Sequence, residues 1–325
     1  MTQTNRQWIL TKKVTDLAIL SGPDATFQLV TKPIPPVGED QVLLKTMYLS
    51  NDPAQRLLID ANINPARHYS VLVKVGEVIT SYASISAVVE SKSKNLPVGT
   101  VVSAMGGWLE YSVMPAEACL PLKPIGDLPL THYAGVFGVA GVTAYYELVD
   151  IVQAGPNDAV VVSGVAGAIG STVVQIAMHM LGCKKVIDIA GTDAKCKWVE
   201  TLGADVSLNY KSPTFKEDLD KAAEGFVEVL FDNVGGQILD LVLKVMKKNG
   251  QNWYDVIAMR LQIRGLVVTD ATAARFTEII GALIKGYQEG KLKAREDGQT
   301  IVETTFEDIP KTWMRLWDGR STGKL

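Results

Sequence analysis

Gly164, Gly167 and Gly170 recur every third residue in the stretch Ser163-Gly164-Val165-Ala166-Gly167-Ala168-Ile169-Gly170-Ser171. The β-branched run Val160-Val161-Val162 precedes them, and the apolar stretch Val173 to Leu181 follows. Small residues at a strand-to-helix turn let the backbone approach a pyrophosphate. A helix opening near Ala168 turns free N–H groups and a positive dipole end toward that anion. The chemistry indicated is capture of a dinucleotide, with Ala166, Gly167, Ala168 and Ile169 as the residues of the turn that would meet it. The spacing departs from G-x-G-x-x-G, because Val165 stands where the first glycine of that form would fall. Glycines at such a turn also serve tight packing with no ligand. The context favours the nucleotide, since a second strand, Lys185 to Ala190, follows at the spacing of a βαβ unit.

Other catalytic chemistries find little support. A catalytic zinc needs three close protein ligands, yet His68, His132 and His179 are isolated and none pairs with a cysteine at ligand spacing. The expectation is a protein without zinc, with His179 on a helix surface. Cys119, Cys183 and Cys196 are spread too widely for a disulfide framework or a C-x-x-C site, which suits a reducing compartment. With 32 basic against 35 acidic residues, no charge excess draws the chain to nucleic acid or to an anionic membrane. The polar N-terminus lacks an apolar signal core, and no apolar run approaches membrane-spanning length. A cytoplasmic protein is expected.

These residues must be held by two domains, since 325 residues exceed one ordinary core. The first third carries short β-like stretches, Gln41 to Leu49, Ser86 to Ser91, Val98 to Met105 and Glu110 to Pro115, separated by Pro and Gly. That texture predicts a compact, β-rich, barrel-like module. From Tyr133 to Val149 the pattern turns helical, and strands and helices then alternate. Strands are predicted at 159–163, 185–190, 207–209 and 227–232, and helices at 168–181, 193–202, 214–223 and 237–247. Such alternation argues for a doubly wound parallel sheet covered on both faces. A long amphipathic helix is predicted from Ala271 to Glu289. The tail from Lys291 has β-like and short helical pieces that should return to the first module. The domains are therefore drawn as residues 1–132 with 295–325, and residues 133–294.

Several separated motifs resemble one family. They are Tyr48-Leu49-Ser50-Asn51-Asp52-Pro53-Ala54-Gln55-Arg56, Gly107-Trp108-Leu109-Glu110-Tyr111, Gly141-Val142-Thr143-Ala144-Tyr145 and the glycine loop. Ala190-Gly191-Thr192-Asp193-Ala194-Lys195, Asn209-Tyr210-Lys211, Asp232-Asn233-Val234-Gly235-Gly236 and Gly323-Lys324-Leu325 complete the set. In this order they resemble the zinc-free medium-chain dehydrogenases/reductases, in the branch of leukotriene and prostaglandin reductases, curcumin reductase and alkenal double-bond reductases. The resemblance implies an α/β protein: a Rossmann domain plus a GroES-like barrel domain, with the active site in the cleft between them. It also implies NADPH as hydride donor to the β-carbon of an α,β-unsaturated carbonyl. That chemistry requires a protein that orients the coenzyme, polarises a carbonyl and allows protonation of an enolate.

Coenzyme choice can be read from the end of the second strand. Enzymes using NAD commonly place Asp or Glu there, and a carboxylate repels the extra phosphate of NADP. Here the strand ends Ala190-Gly191-Thr192, with Lys195 just beyond, and Lys195 and Tyr210 match family positions that contact the 2′-phosphate. Asp188 is the counter-indication, lying near the right distance for an NAD acid. Lys195 also reads as a solvated residue of a first helical turn. By resemblance Asn233 sits beside the nicotinamide, though Asn-Val-Gly-Gly after a strand is also a plain turn. Thr143 contacts the nicotinamide end by resemblance or packs within its helix. Arg56 points to the substrate, or pairs with Asp52 or Asp60.

Between Gly250 and Gln251 relatives carry a strand and a glycine- and proline-containing loop, often with a tyrosine over the active site, that this chain lacks. Tyr254 is the candidate replacement proton donor, or simply packs beside Trp253. Ala54 replaces a tyrosine of many relatives, and Ile79 to Ser84 replaces a glycine-rich turn. Two alternative readings stand beside the enone or enal reductase: a zinc-free quinone oxidoreductase, and a nucleotide-binding homologue without redox activity. The family is often dimeric, which implies a homodimer.

Overall fold

The computed structural model describes residues 4–224, 227–246 and 263–325. Tyr254 and the junction of Gly250 with Gln251 lie outside the described residues. The chain divides into two compact units, Met1–Ala134 with Thr300–Leu325, and Gly135–Gln299.

In the first unit, β1 (Thr4–Leu10) and β2 (Phe27–Pro33) form an antiparallel ribbon. Strands β3 (Gln41–Leu49), β4 (Ser84–Ser91), β5 (Val101–Ala104), β6 (Tyr111–Pro115) and β7 (Cys119–Pro121) form an antiparallel sheet. Its order is β6-β3-β4-β5-β7, and it curls into half a barrel. Period-two alternation sends Val42 and Leu44 inward from β3, where they meet Val88, Val102, Ala104 and Cys119. The stretch 98–105 yields a shorter strand than its composition predicts, since Gly99 takes φ +91° in the turn before it.

A second core gathers Leu10, Phe27, Leu58, Ile59, Trp108, Ile309 and Trp313. Trp108 lies 5.2 Å from Phe27 and 5.8 Å, edge-on, from Trp313. The tail thus returns as a helix, Ile309–Met314, and contributes isolated bridges where β-like pieces are predicted. Lys324, almost fully buried, donates from Nζ to Asp52 Oδ1 and to the Asn51 carbonyl at 2.9 Å. Asp52 also accepts from Ser50 Oγ at 2.5 Å. Removing one partner of such a pair leaves the other short of compensation. Lys324→Met is expected to lower stability by on the order of 2 kcal/mol. Urea denaturation checks this, and an unchanged midpoint would mean that water replaces the ammonium at no cost.

Among the described residues, the second unit has four parallel strands, β8 (Ala159–Ser163), β9 (Lys185–Ala190), β10 (Val206–Asn209) and β11 (Val229–Phe231). Their order is β10-β9-β8-β11. Among the described residues its α-helices are α1 (Val139–Tyr145), α2 (Ala168–Gln175), α3 (Asp193–Glu200), α4 (Phe215–Ala222), α5 (Gly236–Val245) and α6 (Ala273–Gln288). Val160, Val161, Val162, Val186 and Ile187 have no exposed surface, as a central parallel strand demands. The helix predicted over 133–149 begins later, at Val139, and continues as π-helical turns through Tyr146–Val152. Similarly α2 runs on as π-helical turns over Ile176–Met180. There His179, half-buried rather than lying on the helix surface, faces the Leu202 carbonyl across 2.8 Å.

Candidate functional site

From β8 the chain winds outward through β9 to β10, then returns to place β11 on the other flank of β8. The carboxyl ends of β8 and β11 therefore bound the point where strand order reverses, which is where open α/β sheets bind ligands.

The glycine loop fills this point. Gly164 takes φ +60°, and a Cβ there would lie 3.1 Å from Val234 and 3.2 Å from Asn233. At Gly170 a Cβ would come within 2.6 Å of the Val165 Cα and 2.8 Å of the Gly164 carbonyl oxygen. The first turn of α2 thus lies directly on the loop. The Ser171 N–H donates back to Gly167 at 3.0 Å, while no side chain caps the helix. Thr192 caps α3 and Thr272 caps α6 through their hydroxyls, and Asp232 accepts from the Gly235 N–H at the start of α5, whereas α1 and α4, like α2, have no side-chain cap. The N–H groups of Ala168, Ile169 and Gly170 are the first-turn donors an anion would use.

Across the switch point, Ser163 Oγ donates to Asp232 at 2.5 Å and accepts from the Asn233 N–H at 2.9 Å. The Asn233 amide nitrogen donates to the Ser163 carbonyl at 2.9 Å. These bonds lock the end of β11 onto the end of β8 and fix the Asn233 side chain. Ser163 and Asp232 carry this lock, and the sequence reasoning missed them. Their signal was position alone, Ser163 being the last residue of β8 and Asp232 the first after β11.

At the tip of β9, Gly191 is covered by the Tyr210 ring: a Cβ there would lie 3.0 Å from Cε1 and 3.3 Å from the hydroxyl oxygen. Thr192 accepts from the Lys195 N–H at 3.2 Å, which sets Lys195 on the first turn of α3 beside that tip. Gly191, Thr192, Lys195 and Tyr210 are thereby brought together. Asp188 is not among them. It lies within β9 with no exposed surface, held by Ser207 Oγ of β10, so it cannot reach a ribose hydroxyl and the counter-indication it offered falls away. Burial and the Glu200 charge push its carboxyl up to about 7.

The Thr143 hydroxyl donates to the Val139 carbonyl at 2.7 Å within its own helix. In the other unit Arg56 is bound to Asp60 at 2.7 Å, both side chains being largely buried. Its guanidinium is therefore committed to a structural pair. Among the described residues no three His, Cys, Asp or Glu side chains group so as to hold a metal ion.

Comparison with known proteins fits this geometry. Residues 6–122 match the N-terminal domain of oxidoreductases, and residues 168–280 match the zinc-binding dehydrogenase domain. Prostaglandin reductase 1 of Bos taurus is 32% identical over 326 residues, covering 93% of each chain. The chain belongs to the zinc-free branch of the medium-chain dehydrogenase/reductase family. The NADPH-dependent curcumin reductase of Escherichia coli K12 is 29% identical, covering 99% of this reductase and 96% of that one. CurA from Vibrio vulnificus in complex with NADPH superposes with a TM-score of 0.84 at 27% identity, over 98% and 97% of the two chains. The alignment to curcumin reductase runs to 350 positions, more than the 325 residues of this family member. That relative therefore has positions with no counterpart here.

Proposed function

We propose that this chain is an NADPH-dependent reductase that saturates the C=C bond of small α,β-unsaturated carbonyl compounds without zinc. What carries the reading is the tip of β9, where Gly191 and Thr192 are flanked by Lys195 and Tyr210, with Asp188 buried in the strand and Asp193 engaged by the Asn209 amide. Relatives that span nearly the whole chain include prostaglandin reductase 1 and an NADPH-dependent curcumin reductase, which agrees.

The residues fit the coenzyme. The uncapped first turn of α2, at Ala168 and Ile169, would hold the pyrophosphate, with Ala166 and Gly167 in the loop beneath. Lys195, Thr192, Gly191 and Tyr210 would hold the ribose phosphate, and Asn233 and Thr143 the nicotinamide end. Bound NADPH supplies the hydride. The protein's own part is to orient that donor rigidly, through the Ser163–Asp232–Asn233 lock, and to keep the substrate carbonyl polarised while its α-carbon is protonated. Tyr254 is our candidate for the proton donor and Arg56 for the substrate side. Because Arg56 is paired to Asp60, it would act by shaping that side. The same proposal has the protein working in the cytoplasm as a homodimer, a setting that suits its three buried, unbridged cysteines.

The test is titration with NADPH and NADH, then an absorbance assay against enals, enones and quinones. Preference for NADPH and turnover of enones support the reading. Turnover of quinones alone, or coenzyme binding with no turnover, overturns it. Lys195→Ala is expected to weaken NADPH at least tenfold while leaving NADH within about twofold, since it removes a cation that would meet the extra phosphate, which NADH lacks. Equal losses for both coenzymes would mean structural damage instead.

A further inference from the structure

We propose that Lys211 is a second cation of the 2′-phosphate site, and that Tyr210 serves partly by holding it there. The inference rests on the reading of the β9 tip as the coenzyme's phosphate end.

Lys211 is the second residue after β10, and its Nζ lies 5.6 Å from the centroid of the Tyr210 ring, over the ring itself. The edge of the same ring covers Gly191. One aromatic side chain therefore links the tip of β9 to an exposed ammonium in the turn that follows β10. A cation over a tyrosine face is attracted by the ring quadrupole and keeps most of its hydration on the outer side. It remains available to an anion at the strand tip.

The backbone is set for this. The Lys211 N–H donates to Asn209 Oδ1 at 3.0 Å, a side-chain turn that fixes where the chain leaves β10. The Asn209 amide nitrogen donates to Asp193 Oδ1 at 2.7 Å. Asp193 is the acid in the first turn of α3 and the negative charge nearest in sequence to Lys195. Asn209 thus does two things at once: it directs Lys211 and engages the carboxylate that would oppose a phosphate. A phosphomonoester carries up to two negative charges near neutral pH, so a second cation raises the discrimination against NADH beyond what Lys195 alone supplies.

The test uses the whole protein and measures binding, with adenosine 2′,5′-bisphosphate and adenosine 5′-monophosphate as probes beside NADPH and NADH. Lys211→Ala is expected to weaken the bisphosphate and NADPH about fivefold to tenfold, leave the monophosphate and NADH unchanged, and reduce the salt dependence of NADPH binding. Lys211→Arg should restore the affinity, because arginine also stacks on the ring. Tyr210→Leu should lower NADPH affinity, and adding Lys211→Ala to it should cost less than Lys211→Ala costs alone. Unchanged bisphosphate binding in Lys211→Ala, or losses shared equally by both probes, would overturn the assignment. If the parent protein itself fails to distinguish bisphosphate from monophosphate, the error lies in the reading of the β9 tip.

Discussion

Gly170→Ala is expected to abolish NADPH binding at any practical concentration, a loss of at least a hundredfold, and to destabilise the second unit. The added methyl would lie 2.6 Å from the Val165 Cα, 2.8 Å from the Gly164 oxygen and 3.0 Å from the Val165 oxygen. All three are backbone atoms, so no side-chain rotation relieves the clash. Either the first turn of α2 lifts away from the loop or the loop itself moves. Both carry the groups that would meet the pyrophosphate, and overpacking of this kind commonly costs about 1–3 kcal/mol before any ligand is considered. The neighbouring glycines give a graded comparison. Gly167→Ala meets only the Gly164 oxygen, at 3.3 Å, and should be mild. Gly164→Ala places a Cβ at φ +60° and close to Asn233 and Val234, so it should fall between, costing about 1–2 kcal/mol. Coenzyme titration together with urea denaturation ranks the three. Normal NADPH affinity in Gly170→Ala would remove the loop from the binding site.

That gradation was only partly legible in the sequence. Strands β8 and β9 occur where the β-branched runs predict, since a strand buried on both faces writes itself as an unbroken apolar run. The ribbon strands β1 and β2 are written in Thr-Asn-Arg-Gln-Trp and Val-Thr-Lys-Pro, whose polar residues mask the alternation, and they were not anticipated. Arg56 shows a different limit. Asp52 and Asp60 lie four residues to either side and compete for it, so spacing does not choose between them, and the pair that forms is with Asp60. Asp52 instead takes Lys324, a partner 272 residues along the chain that no local pattern could reveal. At the proposed coenzyme site the loop and the lysine can be picked out because their spacing is local. The Ser163–Asp232 lock and the Lys211–Tyr210 stack depend on which strands lie side by side.

Asp188 has the strongest expected dependence on pH. Its counting distance along the chain suggested a ribose ligand, but strand geometry buries it with Ser207 as its hydrogen-bonding partner and with the Cys196 thiol and the Glu200 carboxylate of α3 as its titratable neighbours. Neither neighbour supplies a positive charge, and burial pushes the Cys196 thiol up to about 11. In the unfolded chain this aspartate ionises near pH 4. In the folded protein it keeps its proton up to about 7. Between those values the folded state binds the extra proton, so stability falls as pH rises through the window and levels off above it. A shift of this size corresponds to at most about 4 kcal/mol. Glu147, whose carboxyl burial also raises to about 7, adds a slope of the same sign that substitution at 188 leaves in place. Asp188→Asn keeps the acceptor for Ser207 and removes the titration. The variant should therefore be more stable than the parent at pH 8, by about 2 kcal/mol after allowing for its buried amide, and no more stable at pH 5. Urea denaturation of both proteins from pH 5 to 8 measures the difference directly, with every other titrating group common to the two. A constant difference across that range would show that Asp188 is ionised throughout, and that some cation beside it offsets its burial.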